Sequence, residues 1–347
     1  MKKKFLAMLM ASVMVLGLAA CGNSSQPAAD SGDGEGDGGA LPTVGVLIYK
    51  YDDTYISTVR NALQAALDCK AEVIMQDGKG DQATQNDQLD VMIEKGVDVL
   101  CVNMVDAKAA SGVVDKAKDA GIPTVFFNRE PDTEVIKSYE KAVFIGTNAA
   151  DAGKMQGDLV KKIFDEHPEY DLNGDGKVQY VMFQGEPANP DAIARTQYSV
   201  EQAVENGVEM EQIGETQVCN WDTETAQKAM EAMLAANEGK IELVLANNDG
   251  MAIGCIAALS NIGYNTGAEG ANFIPVIGVD ATDAAKDAIQ NGTMSATVLQ
   301  DGQAMGNAIA AVALNLAGGA DFLAGTDYSF DDTGVAVRIP YAPYEGE

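Results

Sequence analysis

The chain has 347 residues and a formal net charge of −29. A surface this acidic argues against binding to nucleic acid or docking on an anionic lipid surface. The only histidine, His167, has no plausible Cys or His companion, so zinc and triad chemistry have little support in the sequence.

The first residues predict a secretion signal over residues 1–20. The basic start MKKK precedes the apolar stretch FLAMLMASVMVLGLAA, and Cys21 follows small residues. The end of this stretch, Leu18-Ala19-Ala20-Cys21, is similar to a bacterial lipobox. That similarity implies cleavage before Cys21 and a lipid on its sulfur. The alternative is an ordinary signal peptide with an incidental cysteine.

Residues 21–41 are predicted to be the lipidated cysteine and a flexible acidic linker. The stretch GNSSQPAADSGDGEGDGG consists largely of Gly, Ser and acidic residues and has no apolar periodicity. Roughly 300 residues follow, enough for two compact domains. None of their stretches is apolar enough to span a bilayer. We therefore expect an extracytoplasmic monomer that meets the cell membrane only through its lipid.

The four cysteines after Cys21 predict no disulfide framework. Cys69, Cys101, Cys219 and Cys255 show no CxxC pair and no regular spacing. Buried free thiols are therefore favoured over disulfides.

Short apolar strands alternate with amphipathic helices from residue 43 onward. The first helix carries its apolar residues on one face, at Ile56, Val59, Leu63 and Leu67. Further helices are expected near 83–95 and 107–120. The strands expected in this half are TVGVLIY (43–49), AEVIMQD (71–77), DVLCVNM (98–104), IPTVFFN (122–128) and AVFIGT (142–147).

The second half repeats this scheme. Helices are expected near 149–166, 191–206, 223–237 and 249–262. Alternation of this kind predicts βαβ units, and so parallel sheets covered on both faces. The number of strands favours two Rossmann-like, doubly wound α/β domains over a single sheet. The strands expected in this half are VQYVMF (178–183), EQIGETQV (211–218), IELVLAN (241–247) and IPVIGV (274–279).

Polar residues follow several of these strands. Asn128 ends one strand, Asn248 and Asp249 follow another, and Asp280 follows a third. The carboxyl ends of parallel strands line the ligand crevice of open α/β sheets. Each such residue could instead cap a helix, and for any one of them the two interpretations are about equally good. Their recurrence in both halves favours a shared cleft.

The stretch DLNGDGKVQYVM begins like a calcium-binding loop. Asp171, Asn173 and Asp175 offer oxygens at positions 1, 3 and 5, and Gly176 follows at position 6. Position 12, where such a loop needs a bidentate Glu, is Met182. Either the pattern is an ordinary polar turn, or the missing carboxylate comes from elsewhere in the fold.

Six segments together carry a resemblance to a known family. They resemble the bacterial periplasmic galactose/glucose-binding proteins, which belong to the pentose/hexose class of type I solute-binding proteins. The resemblance runs from about Val44 to Tyr341, with the blocks in order at matching intervals. The segments are YKYDDTYIS (49–57), FFNREP (126–131), GEPANPDAIART (185–196), NWDT (220–223), ANND (246–249) and IPVIGVD (274–280).

The resemblance implies two Rossmann-like domains joined by a three-crossing hinge, with a sugar held between them. The N-terminal domain would comprise residues 42–147 plus 301–338. The C-terminal domain would comprise 148–300 plus 339–347 and contain the calcium loop. The hinge crossings would fall at Thr147, Asp301 and Arg338-Ile339-Pro340.

The resemblance also implies where the missing calcium ligand lies. In this family the bidentate Glu comes from a distant strand, and Glu242 occupies that place here. The ion would be a structural Ca²⁺ with six or seven oxygens around it. The implied ligands are the side chains of Asp171, Asn173, Asp175, Gln179 and Glu242 and the backbone carbonyl of Lys177.

Ten residues match the family's sugar-binding positions. A hexose offers hydroxyls that both donate and accept and two apolar faces, so its site needs carboxylates, amides and aromatic rings. Three positions depart from the family pattern: Asn189 replaces a His, Gln300 an Asn and Tyr55 a Phe. The ten implied residues are Asp53, Tyr55, Asn128, Asn189, Asp191, Arg195, Trp221, Asn248, Asp280 and Gln300.

The function implied by the resemblance is capture of a galactose- or glucose-like hexose and its delivery to the permease of an ABC importer. No catalytic residue is predicted, because the chain has no GxSxG elbow, no P-loop and no GxGxxG after its first strand. Two alternatives remain. One is a sugar sensor that presents its closed form to a chemoreceptor or kinase. The other, less favoured, is a carbohydrate-active enzyme with a carboxylate pair such as Asp191 and Asp280.

Overall fold

The computed structural model describes residues 40–346. The predicted signal peptide, the lipidation site Cys21 and nearly all of the linker lie outside this range. Among the helices of residues 40–346, none combines the length and the apolar character that crossing a membrane requires.

The described part of the chain alternates strands and helices along most of its length. The strands are β1 Thr43–Ile48, β2 Glu72–Asp77, β3 Val99–Val102, β4 Thr124–Phe127, β5 Ala142–Gly146, β6 Lys177–Gln184, β7 Glu209–Gln212, β8 Gln217–Val218, β9 Leu243–Ala246, β10 Val276–Ile277, β11 Thr297–Gln300, β12 Ala336–Arg338 and β13 Tyr341–Tyr344. The helices are α1 Thr54–Leu67, α2 Gln82–Glu94, α3 Ala110–Ala120, α4 Thr133–Lys137, α5 Ala149–Glu166, α6 Pro190–Glu205, α7 Thr223–Ala236, α8 Asp249–Asn261, α9 Asp283–Gln290 and α10 Gly302–Ala317.

The first lobe is built on a six-stranded parallel sheet. Its strand order is β12-β5-β4-β3-β1-β2. Residues of α1 and α10 pack on one face of this sheet, and residues of α2 and α3 pack on the other. Because both faces are covered, β3, β4 and β5 are buried along their whole length and read as continuous apolar runs.

The second lobe contains the sheet β10-β9-β6-β7, with β8 also paired to β6. Its strands are parallel, and α5 and α6 cover one face while α7 and α8 cover the other. Strand β11 pairs antiparallel with β13, and isolated bridges at Ile277–Ala296 and Asp280–Leu299 join β11 to this sheet. The predicted α/β class with two parallel, doubly covered sheets is confirmed.

Two details differ from the sequence prediction. The single strand expected at EQIGETQV is instead two short strands, β7 and β8. Gly214, between them, has a φ of +70°, a left-handed conformation that breaks the extended run. The alternation also continues beyond the elements predicted from the sequence, with α4, α9 and α10.

The chain passes between the two sheets three times. The first passage leads from β5 into α5, the second from β11 into α10, and the third from β12 into β13. The first and last passages meet where the hydroxyls of Thr147 and Tyr341 lie 2.8 Å apart. The polar ends of strands from both sheets therefore face a common cleft beside these three connections.

Candidate functional site

All ten residues matched to the sugar-binding positions line one cavity between the two lobes. Its volume is about 30 Å³, room for only one or two waters and far below the few hundred Å³ usual for small-molecule sites. The lobes are thus shut, and the cleft must open to admit a ligand. The lining is Asp53, Tyr55, Asn128, Asn189, Asp191, Arg195, Trp221, Asn248, Asp280 and Gln300, together with Tyr49, Ile56 and Arg129.

Three of the cavity residues also cap helices. Asp53 accepts from the Ile56 backbone at 2.7 Å and begins α1. Asn189 begins α6, and Asn248 begins α8. Of the residues for which the sequence left capping and cleft positions open, Asn248 therefore does both. Capping through a single side-chain oxygen fixes the rotamer and holds the rest of the side chain at the cavity.

Arg195 organises the second lobe's side of the cavity. Its Nη1 donates to the Asn247 carbonyl at 2.8 Å, and its Nη2 donates to Gln300 Oε1 at 2.8 Å and Tyr341 Oη at 2.9 Å. The side chain is 4% exposed and lies on α6. A planar guanidinium held at three points is a rigid donor platform.

Four buried polar atoms of this cavity have no hydrogen-bond partner. They are Arg195 Nε, Trp221 Nε1, Asp280 Oδ2 and Gln300 Nε2, which make up half of the eight such side-chain atoms among residues 40–346. An unpaired buried polar atom costs free energy, on the order of 1–3 kcal/mol. Three donors and one acceptor that converge on one cavity match a ligand carrying several hydroxyl groups.

Trp221 rests against a position where no side chain would fit. A Cβ placed on Gly185 would lie 2.3 Å from the indole ring, and Trp221 itself has a φ of +67°. The indole therefore depends on this glycine for its position. The Arg195 guanidinium lies 5.8 Å from the centre of the indole ring, so the ring lines the cavity beside the charged platform.

Two carboxylates beside Arg195 are perturbed by burial. Desolvation raises the pKa of Asp280 well above its usual range, against the pull of Arg195. Burial also raises the pKa of Asp249, although Thr297 and Thr282 donate to its side chain. Asp249 faces the interior of the second lobe and does not line the cavity.

The predicted calcium loop lies against Glu242, which is more than 60 residues further along the chain. Glu242 accepts from the backbone amides of Leu172 at 2.7 Å and Gln179 at 3.1 Å. Its side chain therefore bridges the loop and β6. Burial raises the pKa of Glu242, and the nearby Asp171 raises it further.

The loop's oxygens have the chemistry that a hard cation requires. Asp171 accepts from the backbone of Gly174 and Gly176, and Asp175 accepts from the backbone of Lys177. The buried Oε1 of Gln179 has no partner. Counting only His, Cys, Asp and Glu, no group of three within residues 40–346 is arranged to hold a metal. A complete shell would therefore need amide and backbone oxygens as well, and the implied set supplies both.

Tyr49, Ile56 and Arg129 also line the cavity, although the sequence did not predict them there. Tyr49 and Arg129 stand within two of the segments that carry the resemblance, beside predicted residues. Tyr49 donates a short hydrogen bond to Asp53. A tyrosine at the end of a buried strand, four residues before a predicted carboxylate, is the signal that could have identified it.

A second, larger cavity adjoins the first at the mouth of the cleft. Its volume is about 690 Å³. Arg129 and Asn189 line both cavities, so they stand at the boundary between them. The walls include Val105 and Pro131 from the first lobe and Glu186 from the second.

The family model described as "Periplasmic binding protein domain" matches residues 44–321. The D-galactose/methyl-galactoside binding periplasmic protein MglB of Haemophilus influenzae is 38% identical over 301 residues, which cover 86% of this chain and 88% of that protein. A putative rhizopine-binding protein of Rhizobium meliloti is 31% identical and is matched over 79% of this chain and 84% of its own length.

A solved structure shares the architecture. An ABC transporter solute-binding protein from Bacillus halodurans, solved with bound myo-inositol, superposes with a TM-score of 0.71 at 27% identity. The match covers 90% of this chain and 96% of the other. Each of these proteins is named for binding a small molecule.

Proposed function

Because the chain belongs to the periplasmic binding protein domain family, we propose that it captures a galactose- or glucose-like hexose in its interlobe cleft and delivers it to an ABC importer. The observation that carries the proposal is the set of four unpartnered buried polar atoms in that cavity. The hydroxyl groups around a pyranose ring would supply hydrogen-bond partners for all four atoms at once. The 38% identity to a D-galactose-binding relative supports a hexose over other polyols.

Capture would proceed by a population shift between open and closed lobes. Asp53 and Asn128 belong to the first lobe, whereas Arg195, Trp221 and Asp280 belong to the second. A sugar can contact both groups only when the lobes close around it, with more room between them than the cavity of about 30 Å³ in this structure, so binding favours a sugar-bound closed form. The closed form would then be the state that a permease recognises.

The sugar would be held by charge-assisted hydrogen bonds and by aromatic stacking. Each hydrogen bond to a charged group contributes on the order of 1.5–3 kcal/mol net. A few such bonds suffice for micromolar affinity, about −8 kcal/mol. Trp221 and Tyr55 would cover the apolar faces of the ring. Tyr55 is 5% exposed, and its hydroxyl lies 3.5 Å from Met305 Sδ, so its position is fixed by the first lobe's core.

A panel of aldoses tests the sugar assignment by thermal denaturation. D-galactose or D-glucose is expected to raise the melting temperature because either sugar binds only the folded state. Recovery of aldoses and disaccharides unchanged after incubation would support binding without turnover, whereas hydrolysis of a disaccharide or oxidation of an aldose would favour an enzyme. No stabilisation by any common mono- or disaccharide would refute the assignment.

We further propose that the loop of residues 171–179 and Glu242 hold a structural calcium ion. The unpartnered Gln179 Oε1 and the attachment of Glu242 to the loop support this proposal. The ion would brace the second lobe and would supply no catalytic water. Direct measurement of bound metal in protein purified without chelator tests it.

The N-terminal sequence supports lipid anchoring at Cys21. Family membership agrees with an extracytoplasmic location. A lipid tether would raise the local concentration of the protein at the membrane that carries its permease. Cys21→Ser should release the protein from the membrane fraction, and its continued retention there would contradict the anchor.

A further inference from the structure

An ion pair joins the two lobes at the mouth of the cleft. Arg129 follows β4 of the first sheet, and Glu186 follows β6 of the second. Arg129 Nη1 lies 2.8 Å from Glu186 Oε2, and Arg129 Nη2 lies 3.0 Å from Glu186 Oε1. The two groups form a bidentate, fork-to-fork pair, the strong form of an Arg–carboxylate contact. Because the partners sit on different lobes, the pair can form only when the cleft is shut.

Burial distinguishes this pair from an ordinary surface salt bridge. The Arg129 side chain is 6% exposed, and that of Glu186 is 35% exposed. Arg129 Nη1 also donates to the Val105 carbonyl at 2.8 Å, which fixes the guanidinium to the first lobe. Fully exposed pairs contribute little because solvent screens them. A nearly buried, immobilised guanidinium should bind its partner more strongly.

The same guanidinium is connected through Tyr49 to Asp53, one of the residues predicted to bind the sugar. Its centre lies 3.6 Å from the centre of the Tyr49 ring, a stacked cation–π contact. The Tyr49 hydroxyl in turn donates a hydrogen bond to Asp53, which lines the smaller cavity of about 30 Å³ between the lobes. A continuous line of contacts therefore runs from Glu186 on one lobe, through Arg129 and Tyr49, to the Asp53 carboxylate on the other.

We propose that Arg129 is a positioning residue that couples closure of the lobes to the orientation of Asp53, and that its pair with Glu186 slows sugar release. The inference rests on the proposed sugar-binding function and adds to it a specific determinant of ligand residence time. When the pair forms, the ring of Tyr49 is held beneath the guanidinium and Asp53 is held by Tyr49. When the pair opens, Arg129 keeps its hydrogen bond to the Val105 carbonyl but loses its second anchor, so its hold on Tyr49, and through Tyr49 on the second oxygen of Asp53, weakens.

The first test is Glu186→Gln, with sugar dissociation followed in a stopped-flow instrument by Trp221 fluorescence. Loss of one charge from a mostly buried pair acts chiefly on dissociation, and we expect a roughly tenfold faster rate. Asp90→Asn is the matched control, because Asp90 pairs with Lys116 at an exposed position within the first lobe. It removes the same charge and should leave dissociation unchanged. An unchanged rate in Glu186→Gln would overturn the proposal.

A second test distinguishes a positioning role of Arg129 from an ion pair that only holds the two lobes together. Tyr49→Phe keeps the stacked ring but loses the hydrogen bond to Asp53. If Arg129 acts through Tyr49, the effects of Tyr49→Phe and Glu186→Gln on dissociation should be non-additive in the double variant. Strict additivity would overturn the positioning role. Circular dichroism of each variant checks that it is folded.

Failure of the inference about Arg129 can be distinguished from failure of the proposed sugar-binding function. If the wild-type protein binds no sugar, the proposed function itself fails. If the wild-type protein binds and Glu186→Gln releases sugar at the wild-type rate, only the present inference fails.

Discussion

Nη1 of Arg195 lies 3.9 Å from Oδ1 of Asp280, too far for a direct hydrogen bond but close enough for the two charges to attract. The other oxygen of Asp280 and the Nε of Arg195 both lack partners. The two side chains thus form an incomplete pair, with an acceptor and a donor left for a third group. A hydroxyl of a bound sugar can serve as that group because it both donates and accepts.

The first prediction concerns Asp280→Asn. The amide keeps the size of the side chain but removes the charge, so sugar affinity should fall by about 1.5–3 kcal/mol, roughly 10- to 150-fold. The sugar-free protein should become more stable at neutral pH, because a buried carboxylate no longer has to be kept ionised. Calorimetric titration and thermal unfolding measure the two effects. Asp115→Asn, at an exposed position on α3, is the control and should change neither.

The second prediction concerns the pH dependence of stability. Burial raises the pKa of Asp249 to about 7, above the ordinary Asp value of 3.8. A carboxyl group whose folded pKa is raised binds more protons when folded, so its contribution to stability is lost as pH rises from about 4 to about 7. Asp249→Asn should remove this slope. As the pH rises from about 4 to about 7, the melting temperature of the variant should therefore increase relative to that of the wild type.

Comparing the two proteins cancels the opposite effect of other carboxyl groups. The pKa values of Asp222 and Asp331 are lowered by hydrogen bonds, and their stabilising contribution is lost as the pH falls. These groups are the same in wild type and variant. If the melting temperatures of the two proteins differed by the same amount at every pH between 4 and 7, Asp249 would not titrate in this window.

The third prediction concerns Gly185. A methyl group at this position would meet the Trp221 indole at 2.3 Å, so Gly185→Ala should displace the ring from the cavity. Loss of the stacking contact should weaken sugar binding roughly two- to tenfold and reduce the change in tryptophan fluorescence on binding. Gly112→Ala is the matched control, because nothing lies within 4 Å of its added Cβ. Equal affinity in the two variants would mean that the indole does not contact the sugar.

The fourth prediction concerns calcium. Removing the ion with a chelator should lower the melting temperature, since an ion that binds only the folded state adds about 2.7 kcal/mol at a hundredfold excess over its Kd. Glu242→Gln should lower the melting temperature in the same way and leave little further response to chelator. Glu238→Gln, an exposed neighbour in the chain, should respond to chelator as the wild type does. A full chelator response in Glu242→Gln would remove Glu242 from the ligand set.

The sequence predicted the cleft better than it predicted the contacts within it. Strand ends and matched segments were enough to bring ten residues to one cavity, because in a parallel sheet the carboxyl ends of the strands share an edge. The Tyr49–Asp53 contact is local, and a tyrosine four residues before a predicted carboxylate could have indicated it. The role of Arg129 depends on contacts with Tyr49 and Glu186, which lie in other segments, and spacing along the chain carries no information about such contacts.

Helix α10 shows why part of the fold escaped prediction. It is apolar nearly all round, so it shows less of the amphipathic period that marks α1, α5 and α6. Its close packing on α1 relies on Gly302 and Gly306, where a Cβ would meet Thr58 at 2.1 Å and Ala62 at 2.6 Å. Only the packed structure reveals the need for these glycines.

Calorimetric titration of the purified protein with D-galactose and D-glucose tests the central claim most directly. The account predicts one site per chain, a Kd in the micromolar range or tighter for at least one of the two sugars, and a change in Trp221 emission over the same concentration range. Absence of binding heat and of any emission change with both sugars, in protein shown to be folded, would contradict the claim that the two lobes close around a hexose.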